Sequence, residues 1–182
     1  MEDGGVEFEE YITKKYGAAA AKRFLGAKSQ LDETAAKVGI TFKKDRKIFP
    51  ARRAHALMEH VKLTKGEDSE EANSIMTSLF ENYFEQGRSP NSVDTLSSIV
   101  KNVFGEDSEE ASKALTAAQD DEMLKHVLEK DSYHKHQGIS GVPFFIIEKT
   151  DGESAKKTKP ITFSGAYPPE FIASELEELM NE

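Results

Sequence analysis

Few side chains in this sequence could carry nucleophilic or redox chemistry. The 182-residue chain contains no cysteine, so it supplies no thiolate, disulfide, zinc–thiolate site or iron–sulfur ligand. It has no Gly-x-Ser-x-Gly turn for a serine nucleophile and no Gly-x-x-x-x-Gly-Lys-Ser/Thr loop for phosphates. We therefore predict no catalytic residue and no cofactor for this chain.

The histidines are the remaining candidates for metal binding, and the pair His134 and His136 has the most suggestive spacing. On a helix, side chains two positions apart point in different directions. No carboxylate nearby is spaced to complete a site. We predict a solvated helix end here and no metal site.

The overall charge restricts the partners. Lysine and arginine number 24 against 33 acidic residues, a formal net charge of 24 − 33 = −9. Nucleic acids and anionic membrane surfaces bind basic footprints, so we predict neither as a partner. No apolar run approaches the ~18 residues of a membrane span. The first residues, Met1 to Gly5, lack the basic and apolar regions of a signal peptide, and we expect a cytoplasmic location.

Most of the chain has the apolar spacing of helices, with glycines such as Gly17 and Gly39 placed to end them. Pro50 is placed in the first turn of a further helix, whose buried face would contain Ala54, Leu57, Met58 and Val61. The other predicted helices cover residues 6–16, 18–38, 69–86, 91–104, 108–118 and 120–137.

Two short sequence patterns predict local structure. The heptapeptide Gly-Glu-Asp-Ser-Glu-Glu-Ala occurs at 66–72 and again at 105–111. Its Asp-x-x-Glu spacing resembles a capping box, which predicts two helix starts near Asp68 and Asp107. The basic run 43–47 is predicted to be a solvated loop, since the rest of the chain is acidic.

The pattern changes after Gln137. Residues 138–141 form a turn signal, and the continuous apolar run 142–147 has the length of a strand. A polar connection over 150–159 leads to a second strand at 160–164, and Pro168-Pro169 opens an amphipathic helix. The predicted fold class is therefore mostly α with a small β-hairpin.

The segment Gly-Ile-Ser-Gly-Val-Pro-Phe-Phe-Ile-Ile at 138–147, followed by a hairpin and Phe-Ser-Gly-Ala-Tyr-Pro-Pro-Glu-Phe at 163–171, resembles the C-terminal half of a thioredoxin fold. More closely it resembles the DsbA family. Within that family it is similar to the FrnE-like branch and to the related 2-hydroxychromene-2-carboxylate isomerases and kappa-class glutathione transferases. The resemblance implies a helical insertion domain over residues 1–137 and the C-terminal ββα part of a thioredoxin-like domain over 138–182.

The resemblance also implies a substrate-binding turn made of Gly141, Val142, Pro143 and Phe144, with Pro143 as the cis proline. In that family this turn offers backbone groups to an extended peptide or thiol substrate. The family's first strand and Cys-x-x-Cys helix precede its insertion, and this chain, which begins just before the insertion, has neither. Membership implies thiol–disulfide oxidoreductase or isomerase activity, yet we expect this chain to be redox-inactive without cysteine. His55, in the inserted helices, is expected to be packed and hydrogen-bonded.

Two other functions stay open from the sequence: a non-catalytic module that binds peptide or glutathione, and a helical protein-interaction domain. Without the family's neighbouring strand, the apolar strand 142–147 would have an exposed edge. Such edges recruit other chains, so the sequence predicts self-association, or capture of a partner strand, at this edge.

Overall fold

The computed structural model describes residues 4–25, 30–149 and 159–181. The chain divides into two compact units, one ending at Leu128 and the other beginning at Glu129. This division falls inside a helix. The predicted boundary after residue 137 separates the family's helical insertion from the C-terminal part of its thioredoxin-like domain, and it stays a prediction.

The first unit is built from helices and one small sheet. Its elements are β1 (Val6–Glu7), α1 (Phe8–Tyr16), α2 (Ala18–Leu25), α3 (Gln30–Lys37), β2 (Lys47–Ile48), α4 (Arg52–Lys65), α5 (Glu70–Phe80), a π-helix (Glu81–Glu85), α6 (Val93–Phe104), α7 (Glu109–Ala117) and the start of α8 (Asp121–His136). The second unit contains the rest of α8, β3 (Phe144–Ile147), β4 (Ile161–Ser164) and α9 (Pro169–Asn181). The fold is therefore mostly helical with few short strands, as the sequence predicted.

The N-terminal helix begins two residues later than predicted. Val6 lies opposite Ile48 in the antiparallel pair of β1 and β2, so this apolar residue packs as part of a strand. Gly17 ends α1 with a φ of 85°, a left-handed value that favours glycine. The predicted helix 18–38 corresponds to α2 and α3, and residues 26–29 lie outside the described residues.

The core of the first unit lies among α4, α5, α6 and α7. The predicted buried face of α4 is confirmed, since Ala54, Leu57, Met58 and Val61 are all buried. Residues on the three other helices, together with the C-cap residue of α7, complete the core: Ala72, Ile75, Leu79, Leu96, Ile99, Val100, Ala111, Ala114 and Ala118. Burial of these side chains is the main source of stability for this unit.

The repeated heptapeptide starts two helices, as predicted, but serine rather than aspartate caps each of them. The Ser69 side chain accepts a hydrogen bond from the Ala72 amide at 3.1 Å. The Ser108 side chain caps the start of α7 in the same way. The capping residue is thus one position later than the Asp-x-x-Glu spacing predicted. Pro50 lies just before the capping residue Ala51 rather than in the first turn of α4.

The second unit contains the hairpin and the last helix. β3 and β4 are antiparallel, with Phe144 opposite Ser164 and Ile147 opposite Ile161. The predicted strand 142–147 begins at Phe144, because Pro143 has no N–H to give to the ladder. The connection predicted at 150–159 falls mostly outside the described residues. In the part of the chain that is described, no helix is both long and apolar enough to cross a membrane.

Candidate functional site

The turn before β3 is strongly exposed. The Val142–Pro143 peptide bond is cis, and Val142 keeps 90% of its surface exposed. A Cβ atom added at Gly141 would meet no atom within 4 Å. Gly141, Val142, Pro143 and Phe144 therefore form a contiguous segment that other molecules can reach from solvent, and Phe144 alone among them is half-buried.

Hydrogen bonding at this turn fixes which backbone groups of β3 point outwards. The Pro143 carbonyl accepts a hydrogen bond from the Gly165 amide at 2.9 Å. In an antiparallel ladder, hydrogen-bonded and non-hydrogen-bonded pairs alternate, so Phe145 also bonds towards β4. The N–H and C=O groups of Phe144 and Ile146 therefore point away from β4, to the other edge of β3. Among the described residues no further strand pairs with this edge.

The two faces of the hairpin differ in cover. Phe145 stacks on Phe163 with ring centroids 4.8 Å apart, and Phe163 meets Phe171 of α9 at 5.2 Å. α9 therefore packs on this face. The other face carries Phe144 and Ile146, and the Ile146 side chain is 57% exposed. The open edge of β3 thus adjoins an open apolar face.

The outer edge of β4 is less suited to pairing. On the open face, Thr162 and Ser164 occupy the positions opposite Ile146 and Phe144, and both are exposed and polar. Lys159 and Pro160 come immediately before the strand. Proline and lysine are residues that natural proteins use to prevent edge pairing, so the two edges of the hairpin are chemically distinct.

The histidines do not gather into a site. His134 and His136 are exposed at the end of α8, where a His136 ring nitrogen lies 2.7 Å from the Ser132 carbonyl. His55 was predicted to be packed, and this was wrong: it is exposed on α4 between two buried alanines. His126 contacts Glu59 at 3.3 Å. No three metal-ligating side chains cluster in the ranges that the structure describes.

The solvated loop predicted at 43–47 is wrong for two residues, because Lys47 belongs to β2 and Arg46 is buried. Arg46 is only 9% exposed, and its guanidinium lies 4.5 Å from the centre of the Phe8 ring, 5.4 Å from Phe42 and 5.8 Å from Phe84. It also donates a hydrogen bond to the Lys43 carbonyl at 2.9 Å. Such cation–π contacts are strongest where the cation is desolvated.

The aromatic partners of Arg46 come from α1, from the loop before β2 and from the π-helix, segments far apart in the sequence. Burial raises the pKa of the Tyr83 hydroxyl, in the same π-helix, and the neighbouring Arg46 opposes that shift. The sequence could have indicated only the contact with Phe42, which lies four residues before Arg46. The other two rings reach Arg46 through tertiary packing. Arg46 thus joins three segments of the first unit and carries no assigned chemistry.

Comparison with known proteins agrees with this architecture. The family model of the DSBA-like thioredoxin domain matches residues 5–177, which includes the described parts of both units up to the last turn of α9. A search of the curated proteins found no match. Since the matched segment spans nearly the whole sequence, the chain belongs to the family of DSBA-like thioredoxin domains.

Proposed function

We propose that this chain is a redox-inert DSBA-like domain that binds an extended polypeptide strand along the open edge of β3. Gly141, Val142, Pro143 and Phe144 would form the start of the binding edge, and Ile146 would continue it. The observation that carries the proposal is the outward direction of the Phe144 and Ile146 backbone groups, which follows from the Gly165–Pro143 hydrogen bond. Strand addition to such an edge gives affinity through main-chain hydrogen bonds.

Redox inertness is supported by composition. Thiol–disulfide exchange proceeds by attack of a thiolate on a disulfide sulfur, and the chain has no cysteine. No other side chain performs this attack. The chain would then retain a binding surface of its oxidoreductase family but not the redox step.

The choice of edge is supported by side-chain chemistry. A strand added beside β3 would place its own side chains next to Phe144 and Ile146, whereas one added beside β4 would meet Thr162 and Ser164. Burying apolar surface favours the first arrangement by roughly 25 cal/mol per Å². Pro160, just before β4, further disfavours the second.

Two finer assignments belong to the same proposal. The segments 138–147 and 163–171, which resemble the FrnE-like branch, support placing the chain in that branch of the family. The absence of cysteine supports a cytoplasmic location, since disulfides are rare in reducing compartments.

The binding proposal is tested by titrating the nitrogen-15-labelled chain with an acetylated peptide of alternating valine and threonine. We expect the amide signals of Gly141, Val142, Phe144 and Ile146 to shift, because these groups lie along the pairing edge. Glutathione, titrated in parallel, tests a small thiol ligand. A response confined to α1–α7 would contradict the proposal and favour a helical interaction domain instead.

A matched pair of proline variants makes the test specific to one edge. Ile146→Pro removes an outward N–H from the β3 edge, and Thr162→Pro removes its counterpart from the β4 edge at the same register position. Proline is tolerated where the N–H faces solvent, so we expect both variants to fold by circular dichroism. Only Ile146→Pro should abolish peptide binding, and equal loss in both variants would refute the choice of edge.

Redox inertness has its own assay. The chain should show no turnover above buffer in the reduction of insulin by dithiothreitol, because it offers no thiolate to form a mixed disulfide. Turnover that rises in proportion to the concentration of the purified chain would overturn this part of the proposal.

A further inference from the structure

We propose that the strand occupying the β3 edge is supplied by a second copy of this chain, so that two β3 strands pair antiparallel about a two-fold axis. The inference rests on the proposed function, since it names the partner of the same edge. Self-pairing would also regulate the binding of other strands at that edge. It would occupy the edge increasingly as the chain concentration rises, and other strands would compete with it.

The register follows from the outward backbone groups. Phe144 directs both its N–H and its C=O to the open edge, so the two-fold axis can pass through a hydrogen-bonded pair formed by Phe144 and Phe144 of the second copy. In this register Ile146 lies beside the turn of the second copy, where Val142 comes two residues before β3. An isologous contact of this kind closes on itself as a dimer.

This register pairs apolar side chains throughout. Val142 and Ile146 are 90% and 57% exposed, and each would cover the other across the axis. β3 itself, Phe144–Ile147, has no charged side chain, so no like charges face one another along the paired strands.

Electrostatics favours a second copy over a basic partner strand. Residues 137–147 contain no charged side chain, although 31% of the residues in the chain are charged. A basic strand would find no carboxylate to pair with along 137–147. Two copies, each with a net charge of −9, meet with least repulsion along an uncharged segment, because repulsion between their other charges is screened beyond about 10 Å at ordinary salt.

The size of the contact predicts a weak dimer. A few residues of one strand edge bury less than the roughly 1,200–2,000 Å² of a standard interface. We therefore expect a dimer that forms reversibly and dissociates on dilution. Added salt should strengthen it, because the repulsion between two acidic copies is then screened.

A single introduced cysteine tests the register, because the chain has no other thiol. In Phe144→Cys the two thiols would lie on a hydrogen-bonded pair with Cα atoms ~5.5 Å apart, within the range for a disulfide. Ser164→Cys places a thiol opposite residue 144 in the same hairpin, on the β4 edge. With oxidised glutathione as oxidant, we expect covalent dimer from the first variant at least tenfold faster than from the second.

Sedimentation of the unmodified chain gives an independent measurement. Its average mass should rise with concentration from the 20.2 kDa of one chain towards twice that value, and Ile146→Pro should stay monomeric while Thr162→Pro behaves like the parent. A parent chain that stays monomeric at all concentrations, or equal cross-linking of both cysteine variants, would overturn the dimer. Peptide shifts at Gly141–Ile146 in such a monomer would leave the proposed function standing, whereas their absence would remove both.

Discussion

Replacing Arg46 should lower the stability of the chain by more than replacing a solvated loop residue would, because Arg46 is a buried cation. Arg46→Ala removes a charged hydrogen bond to the Lys43 carbonyl, worth about 1.5–3 kcal/mol. It also removes contacts with three rings, each worth about 2 kcal/mol when desolvated. Relief of the cost of burying a guanidinium, several kcal/mol, offsets part of this loss. We expect a net loss of about 2–4 kcal/mol in the free energy of unfolding.

Two further variants separate charge from shape at this position. Arg46→Met keeps most of the volume and removes the Nε group, which has no hydrogen-bond partner among the described residues, so it should cost less than Arg46→Ala. Arg46→Lys keeps the charge but loses the planar group that stacks on the rings, and it should cost about as much as alanine. The chain has no tryptophan, so urea unfolding is followed by far-ultraviolet circular dichroism.

A neighbouring lysine provides the control for Arg46. The Lys44 side chain is 59% exposed and forms an ion pair with Asp32 at 2.6 Å. Exposed pairs contribute at most about 1 kcal/mol, so Lys44→Ala should have a small effect. An Arg46→Ala variant within about 0.5 kcal/mol of the parent would show that the three-ring contact contributes nothing, and Arg46→Lys with full stability would refute the argument from stacking.

Three further tests, each with a control variant, concern the first unit. Leu57→Ala, at a fully buried position, should lower the free energy of unfolding by about 2–5 kcal/mol, while Leu63→Ala on the same helix, 67% exposed, should change it by under about 0.5 kcal/mol. Ser69→Ala removes a helix cap and should cost about 1 kcal/mol in urea unfolding, and Ser69→Gly only a few tenths. Burial lowers the pKa of His60 below its ordinary value of 6.5, so the unfolded chain binds more protons and stability falls as the pH drops below about 6.5. His60→Gln should reduce that fall in stability, whereas His55→Gln, at an exposed position, should leave the fall as it is in the parent. An unchanged pH profile in His60→Gln would contradict the burial argument.

The parts of the fold that the sequence predicted depend on local periodicity. The α4 face with Leu57 and Val61 repeats at helical spacing and is buried as predicted. The apolar run ending at Ile147 forms a strand. In both cases a single segment contains the whole signal, because the side-chain period itself determines which face is covered.

The errors arose where a residue's environment comes from distant segments. Arg46 lies in a basic run that looks solvated, yet Phe8 and Phe84 come to it from two other elements. The error at His55 has another source, because a packed position was expected from the family resemblance, whereas the residue faces solvent on α4. Val6 fits a helical stripe, yet pairing with Ile48 draws it into a strand. Such contacts depend on tertiary packing, which no single-segment pattern contains.

The unequal packing of the two units bears on where function resides. The first unit buries a cluster of side chains from four helices among its own residues. In the second unit, Leu179 is the one buried hydrophobic side chain among the residues described from 129 onwards, while Val142 and Ile146 remain exposed. A surface of that kind is stabilised by whatever covers it. A strand that binds the β3 edge should therefore raise the stability of the second unit, measured as slower amide exchange in β4 and α9, and leave exchange in the core of α4–α7 unchanged.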